Sequence, residues 1–329
     1  MPFVIYVRSL GIFAPGIYPD GWLETEVTMI ALKAMPEFAL GPDIPESGFV
    51  VTDLGDGAYG VTQGMVNTMF LEARNGVLLV DAPLHLGGDK LLAAIESVTS
   101  KPLTHLIYSH AHADHLGAAH QLKRNGLQII AHERTGQFIE AAHDYRRPPP
   151  NVTFSGPHKA LDIDGTRFVL DYTGDWHMAG NLFIHVPERR LFAAIDSFTP
   201  NPPFFRLVFS AHVPAYFEAM DQMLEYDFDT IVTGHMALYG TREDVVTNRE
   251  YINDLRRSAT EAIQTVDLKE AAAAARVPSN NKQAELKVWM EAVVARAAEL
   301  MPSWDKRLGG TDIFLADNLN AVAWSVFID

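Results

Sequence analysis

From Phe49 onward, apolar and polar positions alternate in short runs punctuated by glycine. Phe49–Leu54, Tyr59–Thr62, Asn67–Ala73 and Val77–Asp81 have the texture of β-strands. Asn75-Gly76 is a tight-turn dipeptide, so the spacing predicts antiparallel strands joined by short turns. Beyond Asp81 the period switches back and forth. Leu91–Val98 and Leu116–Lys123 read as helical, and Leu106–Ser109 and Leu127–Ala131 as strands. A further strand set covers Arg167–Tyr172, Leu182–Val186 and Leu191–Ile195; Ala215–Tyr226 is predicted helical and Thr230–Thr233 a strand. Strands alternating with helices imply an α/β layered domain rather than a sandwich of sheets alone.

After Thr241 the chain reads as helix almost to its end, interrupted at Pro278. Leu286, Trp289, Val293 and Ala297 form an apolar stripe at helical spacing. Residues 1–47 carry prolines at positions 2, 15, 19, 36, 42 and 45 and little periodicity. They are expected to form an irregular arm that wraps the core or a second subunit of a homo-oligomer. The expected organisation is therefore an N-terminal arm over 1–47, an α/β domain over 48–265 and a helical C-terminal extension over 266–329.

Composition narrows the partners. Of 329 residues, 48% are hydrophobic and 20% charged, an ordinary globular balance that excludes a disordered or collagen-like chain. The net charge of −15 disfavours nucleic acid. No apolar run approaches the roughly 18 residues of a membrane helix, so no membrane partner is expected. The absence of cysteine removes disulfides, thiolate zinc sites, iron–sulfur clusters and a cysteine nucleophile. The opening residues lack a basic leader and a small-residue cleavage site, and the expectation is a cytoplasmic protein acting on a small molecule.

The chemistry concentrates in Ser109-His110-Ala111-His112-Ala113-Asp114-His115, directly after the apolar strand Leu106–Tyr108. In an extended segment His110 and His112 point to the same side, and both imidazoles can grip one cation. Asp114 stands where the next helix begins; with His115 it faces a neighbouring position and can hold a second cation. Histidine and carboxylate without thiolate suit zinc, and iron or manganese less specifically. His105, His120, His132, His143 and His185, each isolated, are read as structural or surface residues.

This run resembles the His-x-His-x-Asp-His signature of the metallo-β-lactamase fold superfamily, and further landmarks follow in order. Gly174-Asp175-Trp176-His177-Met178-Ala179-Gly180-Asn181 resembles its next histidine loop. Leu191-Phe192-Ala193-Ala194-Ile195-Asp196 resembles the strand that ends in a metal-bridging aspartate. Ile231-Val232-Thr233-Gly234-His235 is similar to the late strand whose Gly-His supplies the last ligand, and Val77–Pro83 to the early strand and its Asp81. The resemblance covers roughly residues 48–265. It implies an αββα sandwich, flanked here by the irregular arm and the helical extension. It further implies that His110, His112 and His177 hold one zinc, that Asp114, His115 and His235 hold the other, and that Asp196 bridges them.

Such a pair of ions would make a nucleophile of shared water, with Asp114 as a proton carrier. The expected function is a dinuclear zinc-dependent hydrolase of a carbonyl ester or lactone with a fairly apolar substituent. Asp196 places the resemblance nearer the lactonase and glyoxalase II-like branches than true β-lactamases. Trp176, Phe198, Phe204, Phe205, Met236 and Tyr239 would line an apolar pocket or pack in the core, and His212 would approach the substrate. Two alternatives stay open: a β-lactamase-like or thioesterase hydrolase on the same site, and a mononuclear iron sulfur dioxygenase using His110, His112 and His177.

Overall fold

A computed structural model describes residues 34–201, 203–236 and 239–329. The arm expected over 1–47 lies outside the described residues as far as position 33. Residues 34–47 are irregular apart from one 3-10 turn, Glu37–Ala39. Residues from Met35 onward form one compact unit.

Two sheets build that unit. The first, in spatial order, comprises β1 (Val50–Gly55), β2 (Ala58–Thr62), β3 (Asn67–Glu72), β4 (Val77–Val80), β5 (Leu103–Ile107), β6 (Gln128–His132) and β7 (Val152–Phe154). The β1 to β4 pairings are antiparallel, as the turn signals predict, and β4 to β7 pair in parallel. The second sheet holds β8 (His158–Ile163), β9 (Thr166–Asp171), β10 (Phe183–Val186), β11 (Leu191–Ala193), β12 (Thr230–Val232) and β13 (Tyr239–Gly240), also adjacent in sequence order. Within it β11 and β12 run parallel.

The period of two decides what each side chain meets. In β4, Val77 and Leu79 face one core while Leu78 and Val80 face another. In β11, Phe192 points to the outer core while Leu191 and Ala193 point between the sheets. The inner layer is thus closed by Met69, Leu71, Leu78 and Ile107 against Leu170, Ile184 and Val232. Over the outer face of the first sheet lie α1 (Gly88–Glu96), α2 (Ala113–Leu116), α3 (Ala119–Leu122) and α4 (Glu133–Ala142), anchored by Leu91, Leu116, Leu122 and Ile139.

The second sheet is covered by α5 (Val213–Met223) and α6 (Arg242–Thr265), followed by α7 (Leu268–Ala274), α8 (Lys282–Leu300) and α9 (Leu315–Ile328). A capping box fixes the start of α6: the Thr241 N–H donates to Asp244 Oδ2 at 2.7 Å, and Thr241 and Asp244 satisfy each other's end of the turn. The predicted stripe of α8 is real. Trp289, Val293 and Ala297 are buried, and they join Tyr251, Leu255, Leu319 and Val322 in the core under Phe192 and Ile231. Four layers result, helix–sheet–sheet–helix, the αββα sandwich expected. Because β4, β5 and β6 are parallel to one another, as are β11 and β12, their C-terminal ends emerge at shared edges, and there the polar residues collect.

Candidate metal centre

The structure brings all seven predicted ligands into one cluster. His110 follows β5; His112 caps the start of α2, and Asp114 and His115 lie on its single turn. His177 comes from the loop between β9 and β10, Asp196 from the end of β11, and Gly234-His235 from the end of β12. Two four-residue sets form, His110–His112–His177–Asp196 and Asp114–His115–Asp196–His235, each offering one donor atom per residue within 4.8 Å of the others. Asp196 belongs to both. His105, His120, His132, His143 and His185 lie outside both sets.

The two oxygens of Asp196 divide between the sets. Its Oδ2 lies 3.3 Å from His177 Nε2 and 3.6 Å from His110 Nε2, and His177 Nε2 lies 3.0 Å from His112 Nδ1. Its Oδ1 lies 3.1 Å from His115 Nε2 and 3.2 Å from His235 Nε2, which are 3.2 Å apart. Asp114 Oδ2 is 3.5 Å from His115 Nε2 and 3.6 Å from His235 Nε2. Zinc bound tetrahedrally at about 2.0–2.1 Å sets its ligand atoms about 3.3–3.4 Å apart, so both sets have the span of a metal polyhedron. The buried atoms His110 Nε2 and Asp196 Oδ1 have no hydrogen-bond partner despite these approaches. Donor atoms converging in a buried cluster are what a cation satisfies.

Hydrogen bonds behind the cluster aim the rings. The Ser109 hydroxyl donates to Asp81 Oδ2 at 2.6 Å and therefore accepts from His110 Nδ1 at 2.9 Å, leaving Nε2 as the free donor atom. His235 Nδ1 donates to the Met65 carbonyl at 2.9 Å, with the same result. Asn181 Oδ1 accepts from the backbone N–H groups of His177 and Met178 at 3.2 and 3.0 Å, and so folds that loop. Arg147, nearly buried, donates to the carbonyl of Ala111 between the two histidines of the motif.

Backbone geometry adds two further requirements. Asp81 and Asp196 both turn off their strands with φ of 57° and 58°, a left-handed conformation that aspartate tolerates. Gly234 leaves no room for a side chain, since a Cβ there would meet Asp196 Oδ1 at 2.1 Å and His115 Cε1 at 2.7 Å.

Charge in the cluster is balanced tightly. Burial and the neighbouring His177 hold His112 down to about 4, which keeps it neutral and ready to donate a lone pair. Burial also opposes a charge on His115, but Asp196 and Asp114 outweigh it and raise that imidazole to about 9. Burial would raise Asp196 too; His115 and the surrounding imidazoles hold it well below the carboxylate range. Behind them, burial pushes Asp81 up to about 7 in spite of His115 and its bonds from Ser109. Asp114 and Asp196 bring two carboxylates among five imidazoles, a donor set that suits a cation.

Other sequence expectations resolve differently. Trp176, Phe198 and Phe204 are core residues rather than pocket lining, all but fully buried beneath the second sheet's helices. Phe205 is exposed, and Met236 and Tyr239 are half-buried. His212 caps α5, its Nδ1 accepting the Ala215 N–H at 3.1 Å. Ser109, Arg147 and Asn181 were not singled out by the sequence reading for the parts they play behind the cluster.

The comparisons with known proteins bear on the family and the fold. A 2,4-dinitroanisole O-demethylase subunit alpha of Nocardioides sp. strain JS1661 is 31% identical over 187 residues, 56% of this chain and 57% of that protein. Metallo-beta-lactamase IND-1 of Chryseobacterium indologenes is 24% identical over 159 residues, 48% of this chain and 64% of that one. The chain thus spans less than two thirds of either relative. Among solved structures, a metallo-beta-lactamase from Pontibacter korlensis superposes with a TM-score of 0.54 at 18% identity, covering 61% of this chain and 99% of that one. The model of the metallo-beta-lactamase superfamily matches residues 61–235, from β2 to the last histidine of the cluster, and by that match and this fold the chain belongs to the metallo-beta-lactamase superfamily.

Proposed function

We propose that the chain is a dinuclear zinc hydrolase that cleaves a carbonyl ester or lactone carrying an apolar substituent. The observation that carries the proposal is Asp196, whose two oxygens face two separate sets of donor atoms. His110, His112 and His177 would hold one ion, Asp114, His115 and His235 the other, and Asp196 would fix the spacing between them. When bound, a pair of divalent metals lowers the pKa of the water they share and polarises an oxygen of the substrate. Asp114 is the acceptor for the proton released on attack. Its side chain is 42% exposed while Asp196 is buried, so Asp114 can exchange that proton with the leaving group and solvent. Ser109 and the Met65 carbonyl keep His110 and His235 in the tautomer that leaves Nε2 free.

The net charge of −15 disfavours nucleic acid as a substrate. A second reading, removal of an O-methyl group from an electron-poor aryl ether, is favoured by the 31% identity to the 2,4-dinitroanisole O-demethylase subunit. The test is elemental analysis of the purified chain, followed by equal-concentration assays on an aryl ester, a long-chain lactone, a thioester, a cephalosporin, an aryl phosphodiester and 2,4-dinitroanisole. Two zinc ions and highest kcat/KM on the ester or lactone are expected. Highest kcat/KM on the cephalosporin or phosphodiester would overturn the substrate class, and a single tightly held iron would restore the dioxygenase alternative.

A further inference from the structure

Between Asp196 and α5 the backbone does something costly. Arg206, Leu207, Val208 and Phe209 have φ of 46°, 46°, 48° and 55°, four consecutive non-glycine residues in the left-handed region. A leucine and a β-branched valine are poorly suited to it, and strain of this kind persists only where neighbours over-determine the chain. Here they do. Asn318 of α9, fully buried, accepts the Leu207 N–H at 2.9 Å and donates its amide to the Phe204 carbonyl at 2.8 Å. The Leu207 side chain is itself wholly buried. On the far side of the turn, Ser210 Oγ donates to the Trp176 carbonyl, and the Ala211 N–H donates to the His177 carbonyl at 3.0 Å. One end of the strained turn is therefore held by the C-terminal extension and the other by the backbone of a candidate metal ligand.

The turn displays aromatic rings. Phe205 and Phe209 are 38% and 57% exposed, edge-to-face with centroids 5.0 Å apart, and Phe205 lies 4.7 Å from Phe314 at the start of α9. The Arg206 guanidinium sits 5.7 Å from the centroid of the Phe209 ring. At that exposure the two phenylalanines present on the order of 200 Å². This is far below the roughly 800 Å² per partner of a stable protein interface, and it matches one aromatic ring of a small molecule.

We propose that Phe205 and Phe209 form an aromatic shelf that receives an aryl group of the substrate. In this inference Asn318 is the positioning residue that keeps the shelf beside the His177 loop. It deepens the hydrolase reading and rests on it for the substrate, but not for the binding surface. The test uses the full zinc-loaded chain with two readouts: binding of 4-nitrophenol by ligand-observed NMR, and kcat/KM on phenyl acetate against ethyl acetate. Phe209→Ala should weaken 4-nitrophenol binding at least tenfold and lower the phenyl-to-ethyl preference at least tenfold through KM, with zinc content and kcat kept. Asn318→Ala should move both readouts the same way. Phe209 lies outside the core, so Phe209→Ala carries the test if Asn318→Ala fails to fold. No 4-nitrophenol binding to the unaltered chain, or equal binding to it and to Phe209→Ala, would overturn the shelf. Binding that depends on Phe209 in a chain that hydrolyses no ester would leave the shelf standing and refute the hydrolase reading alone.

Discussion

Gly234 is the residue on which the second donor set turns. With a Cβ 2.1 Å from Asp196 Oδ1 and 2.7 Å from His115 Cε1, an alanine there must push aside two of the four residues of that set. The nearest atoms to such a Cβ belong to Asp196, His115 and Ile195, and none to His110, His112 or His177 of the first set. Gly234→Ala is therefore expected to bind one metal ion in place of two, with affinity at the second set reduced about 10–100-fold, while the circular dichroism spectrum stays unchanged. Elemental analysis after dialysis checks it; two retained ions would show that the set can relax around the methyl group. Asp114→Ala should likewise lose most activity in a folded protein. His120→Ala should be mild, because among the described residues the His120 side chain meets the Gly117 carbonyl, at 3.1 Å, and the ring of Tyr145, and lies outside both donor sets. Assay of both purified variants, with folding followed by circular dichroism, decides the point. Four of the candidate donors were legible because their spacing is local: His110, His112, Asp114 and His115 lie within six residues after one apolar strand, whereas His177, Asp196 and His235 were reached only through the resemblance. The bond that aims His110 was not legible, since Asp81 and Ser109 are 28 residues apart and meet only because β4 and β5 pair in parallel.

At the scale of elements, the strained turn and the helix that holds it have to be taken together. Left-handed geometry costs about 1–2 kcal/mol for each non-glycine residue, so Arg206–Phe209 would not persist without the bonds from Asn318 and the buried Leu207. The extension is thereby part of the sandwich. α9 packs on α6 and α8, and Leu319 and Val322 are fully buried among Tyr251, Leu255 and Val293. Leu319→Ala should cost about 2–5 kcal/mol in urea unfolding, and a chain ending at Thr265 should aggregate because the inner face of α6 would be bare. An unchanged midpoint for the first, or a soluble and fully active second, would contradict the shared core. The stripe of α8 was readable because helical spacing repeats at four positions over about three turns. β8 was not. Its residues are mostly exposed at the sheet edge, so it carries no apolar run, only the partners that β9 supplies. α4 was missed because it follows β6 without a loop, and its cap is the His132 side chain rather than the usual small polar residue.

For the molecule as a whole, the cores and the metal centre are separable. The three apolar clusters close between the sheets and beneath the helices, and the seven candidate donor residues sit at the strand ends, outside them. Removing metal should therefore leave the fold in place at 25 °C and lower its stability. Ions that bind only the folded state add about 2.7 kcal/mol when present at a hundred times Kd, and about 4.1 kcal/mol at a thousand times. At roughly 2.1 cal/mol/K of unfolding entropy per residue, a chain of 329 residues shifts Tm by about 1.4 °C per kcal/mol, so chelating two such ions should lower Tm on the order of 10 °C. The measurement is differential scanning fluorimetry of the dialysed chain with and without a chelator, then with zinc restored. Recovery of Tm on adding two equivalents of zinc is expected, and Asp196→Asn should blunt both the loss and the recovery, since one carboxylate serves both sets. Equal Tm in all three conditions would mean that the cluster is held by protein contacts alone.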